Sequence, residues 1–217
     1  MDGTVVIFVK APVAGRVKTR LGRVIGMGRA AALFRILPQR TIAESLKGDW
    51  RSVLAVDPPG AAGEAARFWP AHLPRMAQGA GDLGARMARV FREAPPGPVI
   101  IIGADAPGLR ARHLREAFAA LKGADAVFGP AEDGGYWLIG LNRRKPSPDL
   151  FAGVRWSTKH ALEDTLASLP AGFEVRMLET LQDVDEAGDL IAMGLRARAR
   201  HEKSPPSGAG LFRRFKF

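Results

Sequence analysis

VIIIGADAPGL, Val99–Leu109, reads as a strand that runs straight into a sharp turn. Val99 to Ile102 are all β-branched, with no polar residue alternating among them. That pattern marks a strand covered on both faces, as in a parallel sheet. Pro107-Gly108 forces the chain away from the strand direction and leaves Asp105 at its carboxyl end. Outward from this stretch, apolar runs of strand length recur at Thr4–Val9 (TVVIFV), Ser52–Val56 (SVLAV), Ala126–Gly129 (AVFG), Tyr136–Leu141 (YWLIGL) and Glu174–Leu178 (EVRML). Helix-patterned segments lie between and beyond them, near residues 27–47, 61–68, 83–93, 111–122, 158–168 and 186–198. Strands alternating with helices predict one α/β domain, a mostly parallel sheet with helices on both faces, over residues 1–199. A basic tail containing Pro and Gly follows over residues 200–217. The alternation breaks between Ala126 and Leu141, where PAEDGG joins two runs without a helix, so an antiparallel or mixed element is expected there.

The chain has 217 residues and no cysteine. That length supports a full hydrophobic core without staples, and the missing thiols exclude a disulfide scaffold, a zinc-thiolate or iron–sulfur site and a Cys nucleophile. No apolar run approaches the roughly 20 residues of a bilayer span. The N-terminus carries an acid where a signal peptide would be basic, so a cytoplasmic protein is expected. The formal charge of +10 is unevenly spread: residues 1–40 hold +7, residues 196–217 hold +6, and the stretch between is at −3. A non-catalytic basic protein, binding nucleic acid or an acidic partner, is therefore one reading. The acidic middle and the single tyrosine argue against it, because strand-binding surfaces interleave cations with aromatics. The tail itself, ending LFRRFKF, reads as a solvated end or a docking segment, with a homo-oligomer among the outcomes.

In open α/β sheets ligands bind beyond the carboxyl ends of the strands, so the residues following each run deserve the closest reading. After the first strand, KAPVAGRVKTRLG sets Lys10, Arg16, Lys18 and Arg20 around a Gly15 turn, a composition suited to cradling phosphates. It lacks Walker spacing. Gly26, Gly28 and Ala31 match G-x-G-x-x-A with Glu44 beyond, but no strand precedes them directly, which rejects a dinucleotide site. Asp105 is placed either to hold Mg²⁺ or Mn²⁺ through its hard carboxylate oxygens, or to satisfy its own turn. Asp133-Gly134-Gly135 is a plain hairpin turn, or a place where substrate approaches the backbone with Asp133 on a hydroxyl and Tyr136 and Trp137 as a wall. Asp183, Asp185, Glu186 and Asp189 open the last helix with Asp185 as its N-cap, and Asp183 or Asp185 is compatible with a second metal ligand opposite Asp105. Asp82 is a helix cap, and the Gln78 amide matches the donor–acceptor pattern of a base edge. Ser157 or Thr158 caps a helix, and the four scattered histidines read as surface residues.

Taken in order, KAPVAGRVKTRLG, QGAGDLGARM, IIGADAPGL, GPAEDGGYWLIGL, WST and DVDEAGDL resemble a family of small bacterial glycosyltransferase-A-like proteins. Its members are described as nucleotide-diphospho-sugar transferases, some linked to arsenosugar biosynthesis or radical-SAM gene neighbourhoods. Lys18-Thr-Arg-Leu and the Asp105 strand are more distantly similar to phospholactate and molybdenum-cofactor guanylyltransferases. The resemblance implies a Rossmann-like fold and a Mg²⁺- or Mn²⁺-dependent transferase with a nucleotide or nucleotide-sugar donor and a small-molecule acceptor. It implies Asp105 and Asp185 as metal ligands, and Asp105 and Asp133 as catalytic residues. Lys10, Arg16, Lys18, Arg20 and Gln78 would bind the nucleotide and its phosphates, and Gly134, Gly135, Tyr136 and Trp156 would face substrate. GADAP has a single acid where many metal-dependent glycosyltransferases have Asp-x-Asp, so nucleotidyl transfer with pyrophosphate release stands as the alternative.

Overall fold

The computed structural model describes residues 3–11, 38–58, 69–104, 106, 108–146 and 150–181. The expected helices at 61–68 and 186–198, the domain limit at 199 and the tail lie outside those residues, as do Arg16, Lys18, Arg20, Asp105, Asp183 and Asp185.

Among the described residues seven strands form one mixed sheet: β1 (Thr4–Lys10), β2 (Arg51–Asp57), β3 (Arg75–Ala77), β4 (Val99–Gly103), β5 (Ala126–Pro130), β6 (Tyr136–Leu141) and β7 (Val175–Met177). Their order across the sheet is β3-β2-β1-β4-β6-β5-β7. All neighbours run parallel except β6, which is antiparallel to both β4 and β5. The break in alternation between Ala126 and Leu141 is this antiparallel insertion. The continuous apolar runs are buried on both faces: Val5, Val6, Ile7, Leu54, Ala55, Ile100, Ile102 and Phe128 are inaccessible to solvent.

Four helical stretches among the described residues cover the faces: α1 (residues 38–45), α2 (Leu83–Glu93), α3 (Ala111–Ala120) and α4 (Ala161–Ala167). Ile42 of α1 and Leu114, Ala117 and Phe118 of α3 pack with Val5, Ile7, Ile100 and Ile102 on one face. Met87, Val90 and Phe91 of α2, together with Leu162 and Leu166 of α4, pack with Val6, Ala55, Ile101 and Phe128 on the other. In α2 the buried residues Gly84, Met87, Val90 and Phe91 recur at the helical period. Asp82 caps that helix as expected, its Oδ1 accepting from the Ala85 amide at 2.8 Å. The WST segment does not cap α4; the helix starts at Ala161, because Thr158 spends its hydroxyl on the Arg155 carbonyl and accepts the His160 amide.

Glu44, the acid that completed the false dinucleotide pattern, has a structural task. Its Oε2 accepts the Ala111 amide at 2.9 Å, at the start of α3. Burial alone would raise this carboxyl, but the hydrogen bonds from Lys47 and the Ala111 amide outweigh it and hold the group below its usual range. Glu44→Ala is expected to cost about 1 kcal/mol in urea unfolding, the ordinary loss of a helix cap. The exposed Lys47 end of the pair adds little.

Candidate functional site

Because β1, β2, β3 and β4 are parallel, their carboxyl ends share one edge of the sheet. The antiparallel β6 begins at that same edge, so the β5–β6 hairpin turn joins it. Lys10, Asp57, Gln78, the turn after Gly103 and the Asp133 loop are thereby gathered in one region.

On the β1–β2–β3 side the groups form a closed network. Asp57 lies 4.0 Å from the Lys10 ammonium and 3.3 Å from the Arg86 guanidinium. Arg86 also donates to the Gln78 side-chain oxygen at 3.3 Å and to the Gly81 carbonyl at 3.0 Å. Gln78 is buried, and its amide nitrogen donates to the carbonyls of Val9 at 3.1 Å and Ala55 at 2.9 Å. Arg89 donates to the Gln78 and Ala80 carbonyls at 2.7 and 3.2 Å. The 78–81 loop is thus folded back onto α2 by two arginines of that helix. The Gln78 amide N–H groups are both engaged within the protein, and the side chain joins β1, β2 and Arg86.

On the β5–β6 side, Asp133 is exposed and its Oδ1 accepts the Gly135 amide at 2.9 Å, closing the turn. Ala131 and Gly135 pair through one backbone bond, and the Gly134 amide donates to the Ala131 carbonyl. Gly134 has φ +84°, and a side chain there would overlap the Lys159 carbonyl; the Gly134 carbonyl in turn accepts the Leu162 amide at 3.0 Å. The missing side chain therefore admits the 155–160 loop. That loop is held by Arg155, whose amide and guanidinium bond Asp164 at 2.8–3.0 Å. The hydrogen bonds from Arg155 keep the Asp164 carboxyl down at about 2, so the clamp persists through mild acid. Trp156 packs its ring beside Phe151 and over Gly84, where a Cβ would sit 2.8 Å from Trp156 Cζ2. QGAGDLG, DGG and WST are therefore neighbours through Gly84–Trp156 and Gly134–Lys159.

Tyr136 and Trp137 do not form one wall. Tyr136 packs edge-on to Phe128, with its hydroxyl 3.4 Å from Thr165 Oγ1, and burial pushes its phenol well above the usual range. Trp137 is buried on the α3 side, against His113. Trp137 is in the core, whereas Tyr136 is partly buried and packs on the opposite core cluster, so the two rings face different sides of the sheet.

The family described as "Uncharacterized protein conserved in bacteria (DUF2064)" matches residues 41–158. The chain belongs to this family. A protein from Desulfovibrio desulfuricans G20, provisionally described as a nucleotide-diphospho-sugar transferase, is 31% identical; the similarity covers 94% of this chain and 90% of that one, with a TM-score of 0.77. Rv0371c from Mycobacterium tuberculosis H37Rv, solved as a manganese complex, superposes with a TM-score of 0.53 at 16% identity, over 89% of this chain and 98% of that one. 2-C-methyl-D-erythritol 4-phosphate cytidylyltransferase from Thermus thermophilus gives a TM-score of 0.53 at 19% identity, over 91% and 100%. These last two show the fold alone. No curated protein matches the sequence significantly. The fold is the Rossmann-like one of the nucleotide-diphospho-sugar transferases, as the motif resemblance implied. Among the described residues no helix is long and apolar enough to cross a membrane.

Among the described residues no three His, Asp or Glu side chains are grouped to hold a metal. Both carboxylates that the resemblance assigns to a metal, Asp105 and Asp185, stand outside those residues, but the carbonyls on either side of Asp105 are hydrogen-bonded. The Ala104 carbonyl accepts from Thr41 Oγ1 at 3.1 Å, and the Ala106 carbonyl accepts the Leu109 amide at 3.0 Å. Ala104, Ala106 and Leu109 are buried. A residue that the motif reading missed completes this bracing. His113, expected at the surface, is 1% exposed and accepts the Arg110 amide at Nδ1, 3.1 Å away. The signal for it was periodicity: His113, Leu114, Ala117, Phe118 and Leu121 form one apolar-facing stripe.

Proposed function

We propose that this protein transfers a glycosyl group from a nucleotide-diphospho-sugar donor to a hydroxyl of a small-molecule acceptor. The observation that supports it most is that Lys10 at the end of β1, the end of β4 that leads into Asp105, and the Asp133 hairpin lie at one sheet edge. A 31% identical relative with the same fold over nearly the whole chain adds to it. In this reading Asp105 and Asp185 hold Mg²⁺ or Mn²⁺, for which hard carboxylate oxygens are suitable ligands. When bound, the ion neutralises charge on the donor's diphosphate.

The chain's own residues supply the rest. Lys10, half-exposed at the end of β1, and Arg16, Lys18 and Arg20 beyond it offset the charge that develops on the leaving diphosphate. Gln78 acts by position, fixing Arg86 and the 78–81 loop beside that end of the sheet. Gly134 fixes the hairpin against the 155–160 loop, with Gly135, Tyr136 and Trp156 shaping its rim and floor. Asp133, exposed at the hairpin tip, orients the acceptor hydroxyl and takes its proton. The acceptor oxygen bonds to the anomeric carbon, the bond from that carbon to the diphosphate oxygen breaks, and a nucleoside diphosphate leaves. Catalysis is then mainly positioning and charge stabilisation.

A second reading is favoured by the single acid in GADAP. In it the acceptor's phosphate oxygen attacks the α-phosphorus of an NTP and pyrophosphate leaves. Product analysis separates the two: incubation with Mn²⁺, an acceptor pool and either nucleotide-sugars or NTPs is expected to release nucleoside diphosphate from the sugars. Pyrophosphate from the NTPs, with no nucleoside diphosphate, would reverse the order of the readings.

A further inference from the structure

His113 stands where three pieces of the carboxyl-end region meet. On its own helix, Nδ1 accepts the Arg110 amide and so carries no proton. The neutral ring therefore holds its proton on Nε2, which faces the segment after β7. There Nε2 lies 2.5 Å from Glu179 Oε1 without an aligned hydrogen bond, and the ring also packs beside Trp137. Glu179 is held from two further sides, by Arg112 at 2.7 Å and by Trp137, whose indole N–H donates to the Glu179 carbonyl at 3.3 Å. Two residues on, the Leu181 amide donates to the Pro130 carbonyl at 3.0 Å, and the Leu181 side chain borders Gly108 in the β4–α3 turn. The turn around position 105, the segment entering DVDEAGDL and the base of the Asp133 hairpin thus share one junction.

We infer that His113 is a positioning residue whose neutral imidazole fixes the β4–α3 turn against the segment that follows β7. The junction itself rests only on the contacts above; its effect on metal binding rests on the proposed roles of Asp105 and Asp185. Protonation would place a second N–H on Nδ1, facing the Arg110 amide, and two donors cannot share that contact. Acid therefore releases the Arg110 amide while strengthening the attraction to Glu179; the Ala111 amide and the Arg110 carbonyl keep their bonds. The groups facing the ring are Arg110, Arg112 and Glu116 on α3 and Glu179 opposite, with Glu44 of α1 bonded next to it at Ala111. Burial and then Arg112 push the imidazole below its ordinary value, and Glu179 and Glu116 only partly oppose them. A His whose folded value is depressed contributes stability above its unfolded value of about 6.5 and loses it as pH falls below that.

The test uses the full chain with histidine ¹⁵N NMR, amide exchange at Arg110 and calorimetry with Mn²⁺ alone. At pH 7.5 the His113 ring is expected as the Nε2–H tautomer. As it titrates, protection of the Arg110 amide, corrected for intrinsic rates, should fall about tenfold, and Mn²⁺ affinity should fall by a similar factor, typical of residues that orient metal ligands. His113→Asn keeps an acceptor for the Arg110 amide, so protection and Mn²⁺ binding should persist and their pH step should vanish. Glu179→Gln, at an exposed site that does not threaten folding, should shift the imidazole further down. An Nδ1–H tautomer, an unchanged pH step in His113→Asn or an unshifted imidazole in Glu179→Gln would overturn the proposal. If the wild-type chain binds no Mn²⁺ at pH 7.5, the metal assignment falls, and the tautomer and exchange results alone decide for or against the junction.

Discussion

Asp105→Ala is expected to lose at least about 100-fold in Mn²⁺-dependent nucleotide affinity, roughly 2.7 kcal/mol, measured by calorimetry with a panel of nucleoside diphosphates. Circular dichroism should remain that of the wild type. The reason lies in how the turn is built: Thr41 holds the Ala104 carbonyl, Glu44 the Ala111 amide and His113 the Arg110 amide. None of these three bonds uses the Asp105 side chain, so each of them is available to the variant. Unchanged nucleotide binding in the folded variant would remove Asp105 from the site.

Gly134→Ala is expected to destabilise the fold by about 2–3 kcal/mol, read from the midpoint and slope of urea unfolding. Two costs add at this position. A φ of +84° strains any residue with a Cβ, and that Cβ meets the Lys159 carbonyl, which is backbone and cannot swing away. The neighbouring Gly135 is the control. A Cβ there would lie 3.1 Å from Asp133 Oδ1, an exposed side chain that can move aside by giving up its bond to the Gly135 amide. Gly135→Ala should therefore cost under about 1 kcal/mol, the value of one exposed turn hydrogen bond. Equal costs at the two positions would mean that the 155–160 loop yields to the added methyl.

The strands of the sheet centre were legible because burial on both faces writes itself as unbroken apolar sequence: TVVIFV, SVLAV and VIIIG each became a strand within a residue or two of the expected limits. β3 was not legible, since RMA is three half-exposed residues on an edge with no pattern to read. The hairpin between β5 and β6 was announced by Asp-Gly-Gly and by the lack of a helix, but nothing local said that β6 inserts between β4 and β5. Placement in the sheet depends on partners distant in sequence. The same limit explains the site. The rule that ligands gather beyond strand ends found the right edge, with Lys10, Gln78 and Asp133 all on it. What single side chains do there depended on neighbours that composition cannot supply. Gln78 looked free because its acceptors are the carbonyls of Val9 and Ala55, and His113 looked exposed because a histidine is polar.

The central position of β1 has a consequence for how the chain must be made. Thr4 pairs with Arg51 on one side and with Val99 on the other, partners 47 and 95 residues downstream. Of the strands in this sheet, β1 therefore waits across the longest stretch of chain for its second neighbour. Until β4 has emerged, TVVIFVK can be covered on one edge at most, and its other edge is an open template for pairing with a wrong strand. Closing such distant pairs costs loop entropy before any burial repays it, which places this sheet among the slower topologies to assemble. Nascent chains halted before residue 99 should accordingly be held by chaperones or aggregate, and chains extended past β6 should not.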